Sequence, residues 1–207
     1  MTLTSFYGNL LYQTDQYPLI KDHLSIIAER MWEGIRANHD FIFQEINNYH
    51  PDYLGRAIEE LKTLSLTIED CKTTIANEYS FKNWDVIEQL EDLYDHDFEK
   101  AVNFLIGGNL KELKKLIKTN PLLVTKRSKY GHRATLLHYT ASNGVEMWRQ
   151  KSPSNLPEIT QFLIHQGADC KATMQVYGGE FTTLTLLKSS VHPFEAGIGE
   201  EMINILK

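Results

Sequence analysis

A helix–turn–helix–loop pattern recurs from about residue 97 onwards, and it restricts the fold more than any other feature of the sequence. It is visible in FEKAVNFLIGGNLKELKKLIKTNPLLV, in TLLHYTASNGVE with PEITQFLIHQGADCKA, and in TTLTLLKSSVHP with GEEMINILK. In the first two stretches a glycine-bearing turn accompanies apolar residues at helical spacing. Units of this kind stack side by side, because one helix pair is too small to bury its apolar face alone.

The second stretch carries a sequence signature. TLLHYTASNG resembles the Thr-Pro-Leu-His-x-Ala…Gly signature of ankyrin repeats, and EITQFLIHQGADCKA resembles the second ankyrin helix with its Gly-Ala-Asp exit. Leu136 replaces the usual proline, Thr185 replaces the histidine of the last unit, and the first unit lacks the signature, as terminal repeats often do. The residues that match the signature are Thr135, His138, Gly144, Gly167 and Asp169.

The length of the second unit departs from the ankyrin family. Thr135 and Thr182 are 47 residues apart, whereas an ankyrin repeat has a period of about 33 residues. The excess fits an insertion at residues 145–157, VEMWRQKSPSNLP, between the turn glycine and the second helix. We therefore expect about three ankyrin repeats over residues 97–207, the second of them with an inserted loop.

The preceding residues predict a separate helical module. HDFIFQEINNYH before Pro51 and KNWDVIEQLEDLY each predict a helix, and Thr67 with Asp70 predicts a capping box at the start of another. TIANEYSFKNWDVIEQL and VHPFEAGI extend the resemblance to bacterial proteins that join such a module to a short ankyrin array. The expected fold is all-α, with a helical module over residues 1–96 and a short ankyrin-repeat α-solenoid over residues 97–207.

His138 is the one histidine inside the signature, and we interpret it as structural. The resemblance implies that Thr135 and His138 bond each other and nearby backbone groups at the start of a helix. A helix start leaves free N–H groups that such side chains satisfy. A lone histidine on an apolar helix is weak evidence for a catalytic base or a metal ligand.

No other pattern predicts catalysis or cofactor binding. His96 lies between Asp95 and Asp97, but consecutive helical residues point in different directions and cannot close around one metal ion. The glycine pairs in YGGEF and IGGNL do not match a phosphate-binding loop. Ser189-Ser190 near His192 lacks a nucleophile elbow. We expect no catalytic, cofactor-binding or metal-binding residue, and no enzymatic activity.

Charge is distributed unevenly along the chain. Residues 1–100 contain 19 Asp and Glu against 8 Lys and Arg, and residues 101–207 contain 8 against 13, within a net charge of −6. We interpret the charged residues of both halves as solvated helix faces. As alternatives, the basic side chains of residues 101–133 could contact phosphates, the acidic module or an acidic partner. The acidic total and the scarcity of aromatic residues among the lysines argue against nucleic acid. The basic residues are Lys111, Lys114, Lys115, Lys118, Lys126, Arg127, Lys129 and Arg133.

Several features predict a cytoplasmic protein without a membrane anchor. No stretch approaches the roughly 18 apolar residues of a membrane span. The N-terminus lacks the basic start and cleavage site of a secretory signal. Cys71 and Cys170 lie in apolar helical patterns and are expected to be buried thiols in a reducing compartment, with a disulfide between them as the alternative.

The resemblance implies a protein–protein interaction scaffold, because ankyrin repeats bind partners through their loops and first-helix face. The candidate partner-binding residues are Tyr130, Arg133, Trp148, Arg149 and Tyr177. Trp and Arg are frequent at binding hot spots, so the insertion is expected either to face a partner or to fold back, with Trp148 filling a gap. The partner is an unidentified protein. The alternative function is a small-molecule or enzyme-associated domain, with a pocket between the module and the first repeat.

The last helix, in GEEMINILK, carries an apolar face that needs cover. We expect Ile203 and Leu206 to pack inward, so that this helix caps a monomeric stack. The alternative is an array cut from a longer one, whose apolar edge would favour self-association.

Overall fold

The computed structural model describes residues 2–207, and the chain divides into two compact units, residues 1–94 and 95–207. The protein is mostly helical, with one small two-stranded sheet. The helices of the first unit are α1 (Leu3–Tyr7), α2 (Ile20–Arg36), α3 (Asp40–Tyr49), α4 (Ile58–Leu61), α5 (Ile68–Glu78) and α6 (Trp84–Glu88). Those of the second unit are α7 (His96–Ile106), α8 (Leu110–Thr119), α9 (Leu136–Tyr139), α10 (Leu156–His165), α11 (Thr183–Lys188), α12 (His192–Glu195) and α13 (Gly199–Leu206).

The core of the first unit lies between α2, α3 and α5. Helix α5 packs against both α2 and α3, and the apolar residues that repeat along α2, such as Leu24 and Met31, are fully buried. Gly34 lets α3 come close to α2, because a Cβ atom at this position would lie 2.6 Å from the Ile42 side chain. The predicted capping box is confirmed: the Thr67 N–H donates to the Asp70 carboxylate at 2.7 Å.

Helix α6 is shorter than the sequence predicts. The pattern in KNWDVIEQLEDLY favours one helix up to Tyr94, but α6 ends at Glu88. Beyond it the backbone has another partner, since the Asp92 carbonyl accepts the N–H of Ile20 at the start of α2. Tyr94 is still buried, as its apolar spacing suggested.

Six of the seven helices described in the second unit form three packed pairs, and α12 packs against α13. Helix α7 packs against α8, α9 against α10, and α11 against α13; α9 also contacts both α7 and α11, and α10 contacts α13. Each pair therefore shares buried surface with the next pair. Leu206 is buried, as expected of the last helix, whereas Ile203 is only half-buried and Met202 is the fully buried residue beside it.

An antiparallel hairpin, β1 (Thr173–Val176) and β2 (Gly179–Thr182), is added to the mostly helical fold that the sequence predicts. Its two-residue turn, Tyr177-Gly178, has positive φ at both positions, 52° and 73°. Turns with positive φ match the right-handed twist of paired strands. Glycine adopts a positive φ at little cost. Met174 and Val176 alternate with exposed residues, so one face of β1 is buried.

The structure also tests the predictions made for the two cysteines and for membrane-spanning helices. Both cysteines are free; Cys71 is buried, but Cys170 is only half-buried, which corrects its assignment as a buried thiol. Burial raises the pKa of the Cys71 thiol to about 12. None of the described helices is long and apolar enough to span a membrane.

Candidate functional site

His138 lies at the start of α9 and forms the bonds that the signature implies. Its Nδ1 atom accepts the Thr135 N–H at 3.1 Å and lies 2.8 Å from the Thr135 hydroxyl, while the Thr135 side chain accepts the His138 N–H. On its other side, His138 Nε2 lies 3.1 Å from the Ala172 carbonyl oxygen. These contacts fix a neutral ring with the proton on Nε2. The predicted Thr135–His138 pair is confirmed.

The surroundings of His138 oppose its protonation. Burial lowers its pKa to about 4, against a partial rise from the Ala172 carbonyl. The ring is fully buried, so it cannot contact a substrate. His138 instead ties the first helix of the second pair to the loop that leads into the hairpin.

The insertion folds back onto its own unit. Ser142 donates to the Lys151 carbonyl at 2.7 Å, and the Gln150 side chain donates to the Val145 carbonyl at 2.7 Å. The Asn155 side chain donates to the Gly108 carbonyl at 2.8 Å, in the turn between α7 and α8. Of the two behaviours expected of the insertion, the fold-back is the one observed.

The insertion also buries an arginine. Arg149 lies in a short 3-10 helix, Met147–Arg149, and its guanidinium contacts the carboxylates of Glu99 on α7 at 2.5 Å and Glu146 at 3.0 Å. His132 Nε2 lies 3.7 Å from the second Glu146 oxygen. The side chains of these four residues are at most 3% exposed. We call Glu99, His132, Glu146 and Arg149 the charged cluster.

Aromatic rings surround the guanidinium of the charged cluster. The Arg149 Cζ atom lies 4.5 Å from the centre of the Trp148 ring, 5.8 Å from that of Tyr139 and 6.0 Å from that of Tyr130. These distances are within the range of cation–π attraction, which is stronger where water is excluded. The rings therefore help to offset the desolvation of the buried charge.

The two glutamates of the charged cluster differ in pKa. Burial raises the pKa of Glu99 above its usual range, although Arg149 acts in the opposite direction. Burial would also raise the pKa of Glu146, but Arg149 and His132 outweigh it and bring this pKa below its ordinary value. Burial opposes the charge of Arg149, yet Glu99 and Glu146 raise its pKa well above the usual range. Arg149 therefore stays charged between two carboxyl groups.

The candidate partner-binding residues divide into two groups. Tyr130 and Trp148 are at most 6% exposed and Arg149 is fully buried, which corrects the prediction that they face a partner. Trp and Arg side chains are frequent at interfaces, but Trp148 and Arg149 pack here against each other, with the Arg149 guanidinium also near the Tyr130 ring. Arg133 is exposed, and Tyr177 is 65% exposed at the tip of the hairpin.

A surface cavity of about 240 Å³ lies beside the hairpin. We call it the hairpin cavity; it is lined by Arg127, Arg133, Thr173, Gln175 and Glu180. The chain segment before α9 forms one wall, because the Ser128 N–H donates to the Ala134 carbonyl and the Gln175 N–H donates to the His132 carbonyl. Along this wall His132 points into the charged cluster and Arg133 is exposed.

The remaining candidate residues have structural partners. Asp95 caps α7 by accepting the Phe98 N–H and also contacts Lys126, while Asp97 accepts a bond from Asn120. Gly144 and Gly167 adopt positive φ, and Asp169 accepts the Lys171 N–H at 2.8 Å. Within residues 2–207, no group of three or more His, Cys, Asp or Glu side chains could hold a metal ion.

Sequence reasoning missed most of the charged cluster. Glu99 and Arg149 are 50 residues apart, so no local pattern connects them. The one local signal is the spacing of Glu146 and Arg149, three residues apart in the short 3-10 turn. No family model, no curated protein and no solved structure matches this chain.

Proposed function

We propose that this chain is a non-enzymatic protein-interaction scaffold whose second unit is a short ankyrin-like stack. The observation that carries the proposal is the exposed hairpin, which presents Tyr177 and the hairpin cavity beside a rigid set of helix pairs. Binding residues are commonly found on loops that a rigid scaffold positions. The Thr135–His138 bond and its link to Ala172 support the ankyrin-like interpretation, because they join one helix pair to the next loop.

The environment of His138 supports the non-enzymatic part of the proposal. His138 is buried, neutral and fully engaged with Thr135 and Ala172. The charged cluster contains the groups an acid–base site needs, but its side chains are at most 3% exposed. A substrate must come within hydrogen-bonding distance of such groups. A small-molecule pocket beside the first helix pair stays an alternative prediction.

A site-specific cross-linking experiment tests the proposal. A photoreactive phenylalanine analogue replaces Tyr177 in the full chain, and a matched chain carries it at the exposed Lys118 of α8. We expect a protein partner to be captured from the native cell at position 177 only, with capture reduced by Arg133→Ala. Equal capture at both positions, or capture at position 118 alone, would refute the hairpin as the interaction surface.

A further inference from the structure

The hairpin cavity carries a charge opposite to that of the whole chain. Two arginines, Arg127 and Arg133, and one carboxylate, Glu180, line it, whereas the net charge of the protein is −6. Among residues 2–207, no carboxylate forms an ion pair with either arginine, in contrast to Lys114, Lys115 and Lys126 nearby. The cavity therefore offers two guanidinium groups to an external anion.

One of these guanidinium groups is held in place before any ligand binds. The Arg127 Nη1 atom donates to the carbonyls of Arg133 at 2.9 Å and of Thr173 at 2.7 Å. An arginine has five N–H donors in a planar fork, so its remaining donors can still contact a carboxylate. Because the fork is already oriented, less side-chain entropy is lost on binding.

The polar lining favours an extended peptide. Thr173 and Gln175 add hydroxyl and amide groups to the cavity lining, and these bond a peptide backbone as readily as a side chain. Nucleic acid fits less well, because single strands bind through stacking on aromatic rings and the lining contains none.

We propose that the hairpin cavity binds an acidic, extended segment of the partner protein, with Arg127 and Arg133 contacting its carboxylates and Glu180 limiting how many it accepts. This inference rests on the proposed function and specifies the chemistry of the partner. Charge complementarity of this kind sets specificity and association rate more than total affinity.

The test is an NMR titration of the ¹⁵N-labelled chain of 207 residues with hexaglutamate. We expect shift changes concentrated in residues 127–134 and 173–180, and little change with hexaglutamine. Arg127→Gln and Arg133→Gln should each weaken binding about two- to five-fold, and Glu180→Gln should strengthen it by a similar factor, as for exposed charge pairs. Lys118→Gln is the matched control and should leave the affinity unchanged.

Equal shifts with hexaglutamine, tighter binding of a thymidine hexanucleotide than of hexaglutamate, or weaker binding after Glu180→Gln would each overturn the inference. A failure of this inference can be distinguished from a failure of the proposed function. Cross-linking at position 177 with no hexaglutamate binding refutes only the acidic partner. Capture at position 118 alone refutes the interaction surface, and the inference with it.

Discussion

The two units bury carboxyl groups in opposite ways. In the first unit, Glu45 is 2% exposed, accepts a bond from the Tyr7 hydroxyl at 3.1 Å and shares a hydrogen bond with Glu78, which is 4% exposed. In the second unit, Glu99 and Glu146 instead flank the guanidinium of Arg149. The first arrangement keeps a proton between two acids, and the second supplies a permanent positive charge. A buried carboxyl group can therefore be neutralised by two routes, a retained proton or a neighbouring cation.

The two routes respond differently to pH. Burial, followed by the neighbouring Glu78, raises the pKa of Glu45 well above its ordinary value of 4.5. In contrast, the pKa of Glu146 is lowered, because Arg149 and His132 outweigh the effect of its burial. A raised pKa makes the folded state hold a proton that the unfolded chain releases, and a lowered pKa has the reverse effect.

Replacing Arg149 by methionine should cause the largest loss of stability. The change leaves Glu99 and Glu146 buried without the charge between them, and breaking a buried ion pair costs about 3–5 kcal/mol. Urea unfolding followed by circular dichroism measures the loss. The exposed Arg133→Met is the control, and its effect should stay within about 0.5 kcal/mol.

A triple variant tests whether the charges of Glu99 and Glu146 cause the loss of stability in the Arg149→Met chain. If the uncompensated charges cause the loss, adding Glu99→Gln and Glu146→Gln to the Arg149→Met chain should recover part of the stability. A triple variant no more stable than the single variant would point to lost packing against Trp148 instead.

The first unit should lose stability as pH rises. Because the folded pKa of Glu45 is raised, its contribution is fully present below about pH 4.5 and is lost as pH rises through the folded pKa. Each unit of pKa shift corresponds to about 1.4 kcal/mol. Glu45→Gln retains a hydrogen-bonding side chain without the charge, so it should flatten the decline in unfolding free energy between pH 5 and pH 9.

The exposed Glu29→Gln on α2 is the control for Glu45→Gln. It should leave the pH dependence of the unfolding free energy as it is in the parent chain. An identical decline in the Glu45→Gln variant would show that another group causes it.

His138→Ala should lower the unfolding free energy by about 0.5–2 kcal/mol at pH 7, as the loss of a capping interaction does. The folded pKa of His138 is depressed from 6.5 to about 4, so its contribution is present above pH 6.5 and is lost as pH falls towards 4. Urea midpoints at pH 7 and pH 4 measure both effects. The structural role of His138 fails if the midpoints of variant and parent coincide at pH 7.

Tyr177→Ala should have the smallest effect on stability. The side chain is 65% exposed, and its hydroxyl donates to the Asn143 side-chain oxygen at 2.8 Å. Surface changes of this kind usually stay within about 0.5 kcal/mol. A thermal melt that coincides with the parent's would qualify this variant for binding experiments, whereas a large fall in Tm would show that the hairpin tip is part of the folded core.

Local patterns predicted local structure well and the buried polar chemistry poorly. The Thr67–Asp70 capping box and the Thr135–His138 pair were predictable because both partners lie within one helical turn. The hairpin was missed because its turn begins with Tyr177, a residue that rarely adopts positive φ. The sequence does not predict the hairpin cavity, because Arg127 is joined to Thr173 only by folding across 46 residues. Of the residues that line it, Arg133 alone is a candidate partner-binding residue.

The insertion at residues 145–157 packs back onto the first helix pair, and this also affects how the second unit folds. In a simple stack, each repeat contacts only its neighbours in sequence, and folding can begin at any repeat and spread. The Asn155–Gly108 bond and the Arg149–Glu99 pair close loops of 47 and 50 residues. Such long-range closure slows folding, and it requires α7 to be in place before the insertion can dock. We therefore expect the first two helix pairs to fold and unfold together, as one kinetic step.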